Sequence, residues 1–435
     1  RWSVGWDTET DPPTAIKGGD AIYPIAMNAT MARYYGLSWM VGTDHGGPNH
    51  SKVNREQAYP ELLLSRKAVP EVVQFYAMEF DTPGADHSSM IMPHTHDEAE
   101  KLEELESSFA TRDAWPRDPT RNTEPKMIEA LEHMRDMDEP PVVIAHHPSR
   151  SADSIGVYGL DAPAEFRRWN NTAPNVAIGM EGAPGHQAVV FRATGDSVTP
   201  GPRGAYGRQP TMGGFDQMTA RLGGFWDSML GEGRHWWITA NSDSHVNWRE
   251  GGADFWPGEY SKTYVYADKA HDDILDGIRG GRVFVTLGDL VSELWVTAEA
   301  GGTEAEIGGE LEVSSGSDVQ ISVRVLDPAG ENSHGDSPEV RRVDVIIGEV
   351  YGHLDDPTVD TNPTTAILQR FTSSEWSRDG DYIVVNVTIP NVDQDMYVRV
   401  RGTNGDELEP ENDPPTEDPW DDLWFYSNPI FLTVR

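Results

Sequence analysis

The stretch WWITANSDSH, residues 236–245, begins as an apolar, aromatic run suited to a sheet interior and ends in carboxylate, hydroxyl and imidazole. Asp243 and His245 stand two residues apart, so on an extended chain both side chains point to the same side. A strand that carries an acid and an imidazole to its own C-terminal tip suggests a metal-binding rim, provided that other strands end alike.

They do. The runs LSWMVGTDH, VVQFYAMEF, SSMIMPH, PVVIAHH, NVAIGMEG and KTYVYA complete a set separated by amphipathic stretches such as DEAEKLEELESSFA, TEPKMIEALEHMRDM and AHDDILDGIRGG. Alternating strand and helix predicts a mostly parallel sheet covered by helices, and the strand count fits an α/β barrel. Chemistry in such barrels gathers at the C-terminal strand ends. The residues at the tips are His45, Glu79, His87 (just before its run), His147, Glu181, and Asp243 with His245. Imidazole and carboxylate without sulfur are ligands for Zn, Mn or Fe. One buried histidine would ordinarily be a hydrogen-bonded core residue, but that explanation must be invoked independently at each strand.

These motifs resemble the polymerase and histidinol phosphatase (PHP) family of metal-dependent phosphoesterases. Thr43-Asp44-His45 is similar to its Thr-Asp-His strand end, Glu79 to its bridging glutamate, His147-Pro148 to its later His-Pro, and NSDSH to its final Gly-Ser-Asp-Ser-His, with Asn241 in place of glycine. The resemblance covers about residues 1–290. It implies a distorted (β/α)7 barrel holding two or three divalent ions, and a metal-bound hydroxide attacking a small-molecule phosphate mono-, di- or triester. The family opens with His-x-His, which has no counterpart here before His45. RWSVGWD resembles the segment just C-terminal to that pair, which makes Asp7 a further expected ligand and places the His pair upstream. Neighbouring strand residues point to opposite faces, so His146 and His147 compete for one role unless the chain turns at Pro148, and the family position favours His147. His50, in a glycine loop beyond His45, is expected to reach substrate, and Arg150 to clamp a phosphoryl oxygen bidentately. His94 and His96 read as surface residues, and His133 and His271 as structural ones. Trp2, Trp6, Trp248, Phe255 and Trp256 are rim aromatics or packing residues.

Beyond residue 290 the pattern changes to short alternating strands: ELWVTAEA, DVQISVRVLD, VRRVDVIIGEV, YIVVNVTI, MYVRVRG and PIFLTVR. They predict a β-sandwich over residues 291–435. This half holds 30 acidic and 8 basic residues and only two of the 14 histidines, so the metal chemistry belongs to the first half. GDELEPENDPPTEDPWDD (405–422) reads as a solvated loop, with calcium binding the alternative.

The whole chain of 435 residues carries 72 acidic and 34 basic side chains, a formal −38. Such a surface repels nucleic acid and anionic membrane. No apolar run approaches the roughly 20 residues of a membrane span. Lack of cysteine excludes thiolate zinc sites and cysteine nucleophiles. With the acidity and a first residue that is not Met, it suggests a periplasmic or extracellular protein, and a homo-oligomer is compatible with the sequence. Two other readings stay open: an amidohydrolase-like enzyme acting on C–N or carboxyl ester bonds, and a secreted binding protein with a degenerate site.

Overall fold

The computed structural model describes residues 6–435 except 8, 20, 186–202 and 416. A small ladder pairs β1 (Trp6–Asp7) with β2 (Thr14–Ala15). Six strands then form one sheet in chain order: β3 (Trp39–His45), β4 (Val73–Asp81), β5 (His87–Ile91), β6 (Val142–Ala145), β7 (Ala177–Ala183) and β8 (Trp237–Ala240). The sheet curls into a half-barrel. The helices are α1 (Ile25–Tyr34), α2 (His50–Val53), α3 (Tyr59–Ala68), α4 (Glu98–Phe109), α5 (Glu124–Arg135), α6 (Pro163–Thr172), α7 (Gln217–Ala220), α8 (Phe225–Gly231) and α9 (His271–Arg279). Leu102, Leu105 and Phe109 of α4 and Met127, Leu131 and Met134 of α5 recur every three or four residues and are buried, which gives each helix one apolar face. None of these helices is long and apolar enough to cross a membrane.

One strand runs against the rest. The connection Thr82–Asp86 is too short for a parallel crossover, so β5 returns antiparallel to β4, with Asp81 opposite His87 and Glu79 opposite Ser89. The reversal brings the first residue of β5 to the rim where β3, β4, β6, β7 and β8 end. His87 therefore joins the strand tips although it starts its own strand.

The run KTYVYA does not extend this sheet. As β9 (Ser261–Val265) it pairs antiparallel with β10 (Val283–Leu287), which pairs with β20 (Trp424–Ser427). The Thr263 hydroxyl accepts the Ala240 N–H (2.9 Å) and donates to the Ala240 carbonyl (2.6 Å), so a side chain caps the edge of β8 where a strand was expected.

The remaining strands are β11 (Glu293–Ala300), β12 (Thr303–Glu306), β13 (Glu310–Val313), β14 (Ser317–Leu326), β15 (Arg342–Glu349), β16 (Ala366–Thr372), β17 (Ser377–Asp379), β18 (Tyr382–Val392), β19 (Met396–Thr403) and β21 (Ile430–Val434). A five-stranded sheet, β12-β11-β14-β18-β17, buries alternate residues, as a sheet with one solvated face must. The eight-stranded sheet, β13-β21-β19-β20-β10-β9 with β15 and β16, reaches across residue 290. Its strand β19 is buried on both faces. Val398 and Val400 point one way; Tyr397, Arg399 and Arg401 point the other. There Arg399 forms a two-point ion pair with Asp227 of α8 (2.8 and 2.7 Å), to which the Tyr397 hydroxyl also donates (3.0 Å).

The acidic loop 405–422 holds no strand or helix among its described residues, as expected, but it is not simply solvated. Asp413 is buried and accepts hydrogen bonds from the Gly213 and Gly214 N–H groups, the Thr211 hydroxyl and Arg203. Four donors explain why a carboxylate in this loop leaves water.

Candidate metal centre

Glu79, near the end of β4, is buried, and four imidazoles surround it. His45 Nδ1 lies 3.1 Å from its carboxylate, His87 Nδ1 3.0 Å, His146 Nδ1 3.2 Å and His147 Nε2 3.7 Å. His45 is there because β3 pairs in parallel register with β4, residue 45 opposite residue 79. Both His146 and His147 reach the site, so the expected competition between them does not occur. The strand stops at Ala145, and His147 has a φ of 28°, a left-handed turn costing on the order of 1–3 kcal/mol. That turn brings two neighbouring side chains to one side.

The opposite wall comes from the segment after β8. The rings of His245 and His45 stack at 5.6 Å, and His245 Nδ1 lies 3.8 Å from Asp243 and 3.3 Å from Asp254. Asp243 is also left-handed, with a φ of 44°. The chain passes so close to Gly185 that a Cβ there would stand 2.1 Å from the Ser242 carbonyl oxygen, so only glycine fits. Arg150 donates to Asp86 (2.8 Å) and lines an open cleft with His45, Glu79, Asp243, His245 and Asp254.

Burial by itself would raise the Glu79 carboxyl, but His45 and the other imidazoles hold it well below the usual carboxylate range. Burial lowers His45 and His147. It opposes protonation of His146 as well, but Glu181 and Glu79 outweigh it and hold that imidazole at about 9. Burial pushes Glu181 up to about 7. Imidazoles and carboxylates with such opposed shifts, packed in one cleft, are the arrangement from which functional sites are built.

Three ligand groups share this rim: His45, Glu79 and His87; Glu79, His146 and His147; Asp86, His87 and His147. Within each group the donor atoms lie within 4.8 Å of one another. Two donors about 2.1 Å from one ion are at most about 4.2 Å apart, so small side-chain movements close each group. The donor set also fits a cation chemically. His87 Nδ1 and both ring nitrogens of His147 are buried without a hydrogen bond of proper geometry, which is costly unless another partner takes their lone pairs.

Two expected site residues lie elsewhere. Asp7 is exposed, its carboxylate accepting the Glu9 N–H, and it belongs to none of the ligand groups. His50 is fully buried, with Nδ1 2.5 Å from Glu106 of α4. It cannot reach the cleft because α2 begins at that residue and turns it inward. Trp2 lies outside the described residues, Trp6 lies over Gly47 and meets the His50 ring edge-on at 6.2 Å, and Phe255 and Trp256 are packed inside. His94 stacks on His271 at 4.0 Å and His96 is exposed, so this group stays away from the cleft. His146, which the sequence set against His147, joins the site, and Asp86 and Asp254 complete it although strand-end position alone does not single them out. The acid beside His87 was the available signal for Asp86. No protein-family model, curated protein or solved structure matches this chain.

Proposed function

We propose that the chain is a metal-dependent hydrolase of phosphate esters with a PHP-type site. The observation that carries this reading is the convergence of His45, Glu79, His87, His147 and Asp243, far apart in sequence, on one rim with buried nitrogens left to coordinate. A cavity of about 230 Å³, lined by residues of β3, β4, β5, β6, β7 and β8 and by Ser261 and Thr263 of β9, supports the finer fold reading, a distorted seven-stranded barrel whose interior it occupies.

Two or three divalent ions here would supply a water acidic enough to ionise near neutral pH and positive charge for the phosphoryl oxygens. The chain's own residues do the rest. Glu79 bridges the ligand groups, Asp86 orients the Arg150 guanidinium toward the cleft, and Arg150 takes up charge on the ester in the transition state. His245, whose ring stacks on His45 and which has Asp254 beside it, would add a ligand at the edge of these groups.

The test is turnover of aryl phosphate mono-, di- and triesters by protein loaded with Zn²⁺, Mn²⁺ or Fe²⁺, with amides and lactones run in parallel. Chelator-sensitive release from a phosphate ester is expected. Hydrolysis of the amides or lactones alone would move the protein to the amidohydrolase-like class. Absence of bound metal and of turnover would leave a binding protein.

A further inference from the structure

The loop that carries Asp254 is held from the C-terminal half of the chain. Asp254 accepts the backbone N–H groups of His245 (2.7 Å) and Val246 (3.2 Å), so its position fixes that of the imidazole. Phe255, the next residue, stacks on Tyr260 at 4.9 Å with an interplanar angle of 19°. The Trp420 indole from the acidic loop stands edge-on to both rings, at 5.6 and 5.0 Å, and His334 stacks on it at 5.2 Å. The Tyr260 hydroxyl donates to the Pro419 carbonyl (2.8 Å), and Ser333 Oγ to the Glu259 carbonyl (2.6 Å). Within the loop, Glu259 gathers the Asn247 side chain, the Trp256 N–H and Arg249, which makes residues 246–260 one rigid piece. That piece supplies Val246, Gly251, Gly252, Ala253 and Asp254 to the cleft wall.

We propose that Trp420 is a positioning residue for the metal centre: by wedging against Phe255 and Tyr260 it sets the loop so that Asp254 holds His245 in coordinating orientation. The β-sheet half is then a working part of the site. Partners that orient a metal ligand typically govern ten- to a hundredfold in affinity. The inference rests on the proposed metal site, and its test does not depend on turnover.

The experiment titrates Zn²⁺ and Mn²⁺ alone, against a competing chelator, into the full chain and its Trp420→Ala, Trp420→Phe and Tyr260→Phe variants. Near-UV circular dichroism and melting are recorded in parallel. The expected result is a ten- to hundredfold loss of affinity for one ion in Trp420→Ala, with the other ions unchanged. Trp420→Phe should recover most of it, and Tyr260→Phe should lose a few-fold. Should Trp420→Ala fail to fold, the Tyr260→Phe and Trp420→Phe affinities decide. Wild-type affinity for every ion in the folded variants overturns the proposal. Wild-type protein that binds no metal overturns the functional reading as well, whereas binding without ester turnover overturns only the reaction.

Discussion

Glu79→Gln is the most discriminating single substitution. The glutamine keeps the volume of a side chain that is 3 % exposed, so packing is conserved. It removes one negative charge from a carboxylate 3.0–3.7 Å from four imidazoles and shared by two of the three ligand groups. Outer partners of metal sites already govern ten- to a hundredfold in affinity. A coordinating carboxylate common to two groups should therefore exceed the upper figure for two ions, about 2.7 kcal/mol each. In metal-free protein the same change weakens the support for the His146 proton, so the imidazole falls from about 9 toward the ordinary range. Metal content after dialysis, competition titration with Zn²⁺ and histidine NMR read these effects. A folded Glu79→Gln protein that keeps its full complement of ions with affinity within threefold of wild type would refute the idea that this carboxylate bridges the site.

Arg150→Ala should lower kcat/KM on a phosphate ester by about 10²–10³-fold while metal content stays unchanged, since the residue faces the cleft and lies outside the ligand groups; joint loss of metal would instead make it structural. Asp227→Asn leaves the buried Arg399 guanidinium without its counter-charge and should cost about 3–5 kcal/mol in denaturant unfolding; a loss under about 1 kcal/mol would show that the two sheet systems do not depend on this pair. Glu417 and Asp422 tune the acidic loop to pH. Burial raises them to about 7 and about 6, above their unfolded values, so their contribution to stability is complete below about pH 4 and is lost as pH rises to 7. Glu417→Gln should melt with wild type at pH 4 and above it at pH 8; parallel melting curves at every pH would contradict that assignment.

The mostly parallel half-sheet was legible in the sequence because its strands β4, β6 and β7 are buried on both faces and therefore continuous in apolar residues, as VVQFYAMEF shows at β4. Its rim was legible for the same reason: a polar residue ending such a run must be satisfied by something. Tertiary geometry decided what periodicity could not. KTYVYA has the composition of a barrel strand, but the Thr263 hydroxyl at the edge of β8 and the antiparallel partner β10 place it in another sheet. The joint use of His146 and His147 depends on one left-handed residue, which no alternation rule anticipates. His50 looked like a loop residue because glycines precede it, whereas its fate is set by Glu106, 56 positions away. The hold of Trp420 on Phe255 was hidden in the same way, inside a stretch whose charge and prolines read as solvent-facing.

The charge of the site fixes the order in which ligands arrive. Among the described residues, Glu79, Asp81, Asp86, Glu181, Asp243 and Asp254 lie within 4.0 Å of the cluster's imidazoles, and Arg112 and Arg150 pair with Asp81 and Asp86. With neutral imidazoles the site is formally −4, and a proton on His146 brings it only to −3. A phosphate ester entering that site meets repulsion at short range and, outside it, the field of a chain with a formal −38. Two divalent ions, displacing the His146 proton, bring the site to neutrality, and a third makes it attractive to an anion. Phosphate should therefore bind only to metal-loaded protein, with an affinity that rises with each ion. Calorimetric titration of inorganic phosphate at graded metal occupancy measures this directly, and binding of equal strength to the metal-free protein would overturn the electrostatic account.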